Sequence, residues 1–155
     1  MTIEPIRRSV SVSLTPGRAF DLFTEQMDTW WPVRTHSRSA SEHEGADVET
    51  ERVEFQGRAG GQVLEHLSNG ETLPWAEVLV WEPPHRFVMA WRPHSRPQPP
   101  TEVEVTFTPE GEGTLVELVH RGWERLTEGF AELYESYAGG WIQTLGTFAS
   151  AASDA

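Results

Sequence analysis

The sequence predicts an α+β fold in which seven antiparallel strands form a curved sheet around one long C-terminal helix. Three patterns carry this expectation. The segment Ile6 to Leu14 alternates apolar and polar residues, the middle of the chain repeats short apolar runs between turn residues, and the tail changes to a helical period.

In the first segment Ile6, Arg8, Val10, Val12 and Leu14 share one face, with Arg7, Ser9, Ser11 and Ser13 opposite, as in a half-buried strand. Thr15-Pro16 follows, an N-cap residue ahead of a proline at the first helical position, and Ala19, Phe20 and Phe23 then recur at helical spacing. This short helix ends near Thr24. Residues 25–32 add one further turn, stopped by Pro32, and the polar stretch Thr35 to Ala46 reads as a surface loop.

Six strands are expected next, at about Val48–Gln56, Gly61–Leu67, Trp75–Trp81, Phe87–Arg92, Val103–Thr108 and Leu115–His120. The breaks between them carry turn chemistry: Gly57, Gly60-Gly61, Asn69-Gly70, Pro83-Pro84, a proline-dense 92–100 loop and Gly111 to Gly113. Asn69-Gly70 predicts a hairpin with both central residues at positive φ. Strand parity turns Phe87, Met89 and Trp91 inward, with Val103, Val105 and Phe107, and with Thr114, Val116, Leu118 and His120. Glu102, Glu104 and Glu117 face water. In Trp75–Trp81 only Glu77 is polar, so parity is ambiguous, and a bulge there puts either face inside.

From Glu128 to Ala152 the residues Phe130, Leu133, Tyr134, Tyr137, Trp141, Leu145 and Phe148 lie on one helical stripe. Gly139-Gly140 interrupts this helix at about 1 kcal/mol per Gly relative to Ala, which calls for a kink, close packing or free space beside it. A sheet curled around the stripe shares one core with it. A single helix leaves part of the hollow unfilled, so a pocket between helix and sheet is the expected by-product.

Composition narrows the function classes. With 155 residues the chain fits one domain, 1–155. Twelve Lys+Arg, all of them Arg, face 24 Asp+Glu for a net charge of -12, the wrong sign for nucleic acid or an anionic membrane surface. The absence of Cys excludes disulfides, thiolate metal sites and a Cys nucleophile. The N-terminus lacks the apolar core of a signal peptide and no run is long enough to span a membrane, so a soluble, cytoplasmic protein without membrane insertion is expected. No nucleophile elbow, P-loop, dinucleotide-binding glycine pattern or zinc-protease helix is present, so neither cofactor nor catalytic residues are assigned. The six His never fall at helical metal-pair spacing, and His43 between Glu42 and Glu44 reads as a solvated loop residue rather than a metal ligand.

The motifs AFDLFT (19–24), WWP (30–32), GGQVLE (60–65), WAEVLVWEPP (75–84), RFVMAW (86–91), TEVEVTF (101–107), HRGW (120–123) and GGW (139–141), taken in order and spacing, resemble the START-like (SRPBCC) superfamily and its AHSA-type branch, named for activators of a heat-shock-protein ATPase. The resemblance covers nearly the whole chain. It implies a helix-grip (START/Bet v-like) fold with a cavity between the curved sheet and the C-terminal helix, and binding of small hydrophobic molecules. Two departures stand out: Ala76 follows Trp75 where relatives have Gly, and Gln62 stands where many have Arg.

Polar groups on apolar faces mark the candidate site. Glu65 shares a face with Val63 and Leu67, and His120 with Val116 and Leu118. Most of the apolar residues fill the core, but seven Trp exceed that need, and the surplus is read as pocket lining. The candidate ligand-binding set is Trp31, Phe55, Glu65, Trp75, Met89, Trp91, His120, Tyr137 and Trp141. The leading reading is a non-enzymatic binder of a small hydrophobic or aromatic molecule, with Glu65 and His120 orienting its polar end and the 35–46 and 92–100 loops gating entry. One rival keeps the cavity and makes Glu65 and His120 an acid/base pair on an aromatic or polyketide-like substrate, as in cyclases of the superfamily. The other is an interaction module for a protein partner, a chaperone or transcription factor, with a filled core and an exposed apolar patch. Monomer and homodimer fit equally.

Overall fold

The computed structural model of the chain describes residues 3–32, 48–92, 99–126 and 130–155. The expected gating loops at 35–46 and 92–100 lie wholly or mostly outside the described residues.

Strand β1 (Ile6–Val12) alternates as its sequence does, burying Ile6 and Val12, half-burying Arg8 and Val10, and exposing Arg7, Ser9 and Ser11. Helix α1 (Pro16–Phe23) starts at Thr15, whose hydroxyl accepts from the Arg18 N–H, and buries Ala19, Phe20, Leu22 and Phe23. A 3-10 turn at Met27–Thr29 follows and delivers Trp30 and Trp31 into the interior. There the Trp30 Nε1–H donates to the Leu22 carbonyl at 2.7 Å. Strands β2 (Thr50–Phe55), β3 (Gln62–Leu67), β4 (Thr72–Glu82), β5 (Arg86–Trp91), β6 (Thr101–Glu110) and β7 (Gly113–Arg121) form with β1 a seven-stranded antiparallel sheet in the order β1-β7-β6-β5-β4-β3-β2. Helix α2 (Phe130–Ser153) closes the chain and buries Trp141, Leu145 and Phe148.

The expected α+β architecture is therefore present, with three refinements. At Asn69-Gly70 only Gly70 takes a positive φ, of 90°; Asn69 does not, and its side-chain carbonyl accepts from the Glu71 N–H at 2.9 Å. The hairpin thus needs one left-handed residue rather than two. Strand β4 extends beyond Trp75–Trp81 at both ends and carries two irregularities. Val63 and Leu64 pair with Ala76 and Pro74, leaving Trp75 as the extra residue against β3, and Val78 and Val80 pair with Met89 and Val88, leaving Leu79 extra against β5. A bulge re-aims its side chain, which is how both Trp75 and Ala76 are buried in one strand. In β5, Val88 is buried as well as Phe87 and Met89, so this central strand is covered on both faces.

On the outer face Glu104 bonds Arg86 (2.8 Å) and Arg121 (2.7 Å), and Glu102 bonds Arg121 (3.2 Å) and Arg125 (2.9 Å). Burial by itself would raise these carboxyls, but the arginine hydrogen bonds and charges hold both below their ordinary value. From the inner face of β1, the Arg8 guanidinium donates to the Ala138 carbonyl of α2 through Nε (3.2 Å) and Nη2 (2.9 Å). The next residue, Gly139, has open space where a Cβ would stand, so of the reasons weighed for this glycine free space is the one found.

Gly57 differs. A Cβ there would lie 2.7 Å from the Trp81 ring. Gly57→Ala is expected to displace that indole and destabilise the fold by about 1–3 kcal/mol, whereas Gly17→Ala, with nothing near its Cβ in α1, is expected to stabilise by about 0.5–1 kcal/mol. Thermal melts of the two variants check the opposite signs.

Candidate functional site

The interior holds two aromatic clusters of different chemistry. The first joins Phe20 and Phe23 of α1, Phe55 of β2, Trp81 of β4, Phe87 of β5 and Phe107 of β6, with Phe148 of α2 against Phe23. Its rings meet edge to face or tilted, and apart from the Trp81 indole they bring no donor or acceptor with them. This cluster is the packing core, and Phe55 belongs to it, 5.4 Å from Phe87.

The second cluster gathers Trp31, Trp75, Trp91 and Trp141. Trp31 stands over the other three, with ring centroids 5.2 Å from Trp75, 6.0 Å from Trp91 and 6.0 Å from Trp141. Those three come from β4, β5 and α2, so the group forms only when sheet and helix meet. Each of the three indole N–H groups is tied to a chain acceptor: Trp75 to Glu65 Oε1 at 3.0 Å, Trp91 to Tyr137 Oη at 3.0 Å, and Trp141 to His120 Nδ1 at 3.0 Å. A buried indole N–H left unpaired is costly, and each bond also fixes the tilt of its ring.

Glu65 and His120 are both fully buried, as their positions on apolar strand faces predict. They occupy different ends of the cluster, Glu65 beside Trp75 and His120 beside Trp141, with Trp75, Trp91 and Trp141 forming a continuous row between them. Glu65 also accepts from the Thr50 hydroxyl. At His120 the chemistry settles the tautomer. An indole nitrogen only donates, so Nδ1 accepts from Trp141, the ring proton sits on Nε2, and Nε2–H donates to Thr101 Oγ1 at 2.7 Å. Thr101 hands its own hydrogen to the Trp91 carbonyl. Desolvation pushes the imidazole pKa down to about 3, so His120 is neutral, with its lone pair in use.

Tyr137 packs against His120 at 5.0 Å and stacks on Trp141 at 6.0 Å, and burial of its hydroxyl raises the phenol pKa. Met89 is buried on the same strand face as Trp91. Trp123, absent from the sequence-derived site, is fully buried, 4.3 Å from His120, and donates to the His120 carbonyl at 3.0 Å. The chain reaches it through Gly122 at φ 90° and a 3-10 turn at Trp123–Arg125. The HRGW motif held that signal, a glycine one residue before the ring. Among the described residues no group of three or more His, Asp or Glu is placed to hold a metal ion, and no helix is long and apolar enough to cross a membrane.

Residues 13–153 match the family model of activator of Hsp90 ATPase homolog 1-like proteins. The chain belongs to this family. Its SRPBCC-type fold is a ligand-binding scaffold, and solved structures of similar shape span nearly the whole chain. An anthrahydroquino-γ-pyrone synthase, Txn09, is 31% identical with a TM-score of 0.62, over 96% of this chain and 97% of that one. The Aha1 dimer from Colwellia psychrerythraea has a TM-score of 0.66 at 15% identity, over 96% of each chain. The self-sacrificing resistance protein CalC from Micromonospora echinospora has a TM-score of 0.63 at 21% identity, over 97% of this chain and 95% of that one. No curated protein matches the chain. Proteins of similar shape thus include one described as a synthase and one described as a resistance protein, and fold alone does not separate such roles.

Proposed function

We propose that this protein binds a flat aromatic or polycyclic molecule between the sheet and α2, with a ring of the ligand taking the place of Trp31 against Trp75, Trp91 and Trp141. The observation that supports this is the bonding of the three wall indoles to Glu65, Tyr137 and His120. Trp30, packed among the phenyl rings of the core, is satisfied by a backbone carbonyl, whereas these three walls are each held by a polar side chain. A wall whose N–H groups are already engaged offers a ligand π faces and area, and burial against those faces supplies affinity without adding unpaired donors.

In this reading Glu65 and His120 orient the walls, and through them the ligand. Neither is a catalytic residue. The test is intrinsic fluorescence titrated with neutral polycyclic compounds, paired with denaturing mass spectrometry for a co-purified organic compound. Saturable quenching by flat compounds, and not by aliphatic ones of equal size, is the expected outcome. An unchanged spectrum across the panel sinks the reading and favours the protein-interaction module.

A second reading, an enzyme acting on an aromatic polyketide-like substrate, is favoured by the 31% identity to a protein described as a synthase. It needs a proton-transfer group with a free position. The Nδ1 lone pair of His120 is held by Trp141, and both Glu65 oxygens accept from chain donors, so this reading requires one of these bonds to be exchanged for the substrate; turnover lost in Glu65→Gln with binding retained would establish it for Glu65.

A further inference from the structure

We propose that Tyr137 is the hydrogen-bond donor this site presents to its ligand, and that the ligand is accordingly a flat polycycle bearing a carbonyl oxygen. The inference rests on the binding reading above and narrows it to a chemical class.

It comes from following the hydrogens of Trp75, Trp91, Trp123, Trp141, His120 and Thr101 to their acceptors. The indole of Trp75 ends on Glu65, that of Trp141 on His120 Nδ1, and that of Trp123 on the His120 carbonyl. The imidazole Nε2–H ends on Thr101, and the Thr101 hydroxyl on the Trp91 carbonyl. The Trp91 indole ends on Tyr137 Oη. A phenol that accepts still has its own hydrogen to place, and this one has no acceptor among the described residues. Its polar neighbours are unable to take it. The Trp91 indole has no lone pair to offer, and both His120 nitrogens are occupied.

Tyr137 is half-buried, so this donor stands at the edge of the cluster, placed to meet an acceptor from outside the chain. Its position gives the direction: the oxygen lies 3.0 Å from the indole nitrogen of Trp91, one wall of the cluster, at the end of the row where α2 meets β5. A ring lying against Trp91 and Trp141 brings its own edge past this hydroxyl. Because burial raises the phenol pKa, the hydrogen stays in place through neutral pH. The net charge of -12 disfavours a carboxylate or phosphate as the acceptor and leaves a neutral carbonyl.

The experiment uses two tricyclic compounds of nearly equal size, fluorene and 9-fluorenone, which differ in one carbonyl. Equilibrium dialysis against the wild-type protein is expected to show fluorenone bound about fivefold to tenfold more tightly, the range one neutral hydrogen bond supplies. Tyr137→Phe, which also removes the acceptor of the Trp91 indole, is expected to bind the two compounds with equal affinity whatever its level, and the infrared carbonyl stretch of fluorenone is expected to fall on binding to wild type but not to Tyr137→Phe. Equal affinity of the two compounds for wild type overturns the inference whether or not the variant folds, and so does a preference that survives in Tyr137→Phe. Failure of wild type to bind either compound overturns the binding reading itself, and the two failures are thereby told apart.

Discussion

Trp31→Ala is expected to lower stability by about 3–5 kcal/mol and, in the same protein, to strengthen binding of flat aromatic molecules. Trp31 is 6% exposed and touches four other indoles, so truncation opens a void the size of a bicyclic ring, walled by Trp75, Trp91 and Trp141 with Trp30 alongside. Those walls are held by Glu65, Tyr137 and His120 and are poorly placed to collapse into the space. Apolar cavities of this kind stay dry and accept aromatic guests. Free indole should therefore raise the melting temperature of Trp31→Ala by more than that of wild type, where it must displace Trp31, because a ligand at 100 times its Kd returns about 2.7 kcal/mol by mass action. If indole fails to rescue the variant, the void has closed, and Trp31 is ordinary core rather than the chain's own occupant of the ligand position.

Stability should fall steeply between pH 6.5 and pH 3, and His120 is the reason. Its folded pKa is depressed from 6.5 to about 3, so below pH 6.5 the unfolded chain binds a proton that the folded chain refuses. The contribution is fully present above pH 6.5 and is lost as the pH falls towards the folded value. At pH 5 the loss is about 2 kcal/mol relative to pH 8. Below about pH 4.5 the carboxyls of Glu102 and Glu104, held down by arginine, add losses of the same sign. Urea unfolding at pH 8 and pH 5 measures the difference, and His120→Gln should flatten it. Protonating Nδ1 would set two donors against each other at Trp141, so the folded protein keeps His120 neutral and its ligand affinity should stay level over the range where stability drops. A His120 imidazole signal, assigned by its loss in His120→Gln, titrating near pH 6.5 in the folded protein would contradict this.

Much of the architecture was legible because short-range rules decide it. The alternation in Ile6 to Val12, the Thr15-Pro16 helix start and the stripe Tyr134, Tyr137, Trp141, Leu145 and Phe148 each follow from a period that one element must satisfy to bury one face. The same parity rule placed Glu65 and His120 inside. Trp75 shows where it stops. The side-chain direction in β4 depends on an extra residue against β3 and another against β5, and which residue is extra is a matter of pairing with neighbours far along the chain. Phe55 and Trp31 were indistinguishable in sequence as buried aromatics, yet one packs against Phe87 and Trp81 and the other against Trp75, Trp91 and Trp141, each tied to a polar side chain.

By itself the sequence determined an α+β chain with seven strands, a capped short helix, a long amphipathic helix, and two polar residues committed to the interior. Tertiary structure alone decided that Glu65 and His120 hold tryptophans at opposite ends of one row, that Trp123 seats His120 from behind, and that Tyr137 meets Trp91. The physical reason is range. Periodicity tells a residue which way to face, whereas a hydrogen bond between groups 46 residues apart, as from Trp91 to Tyr137, exists only once sheet and helix have closed on each other.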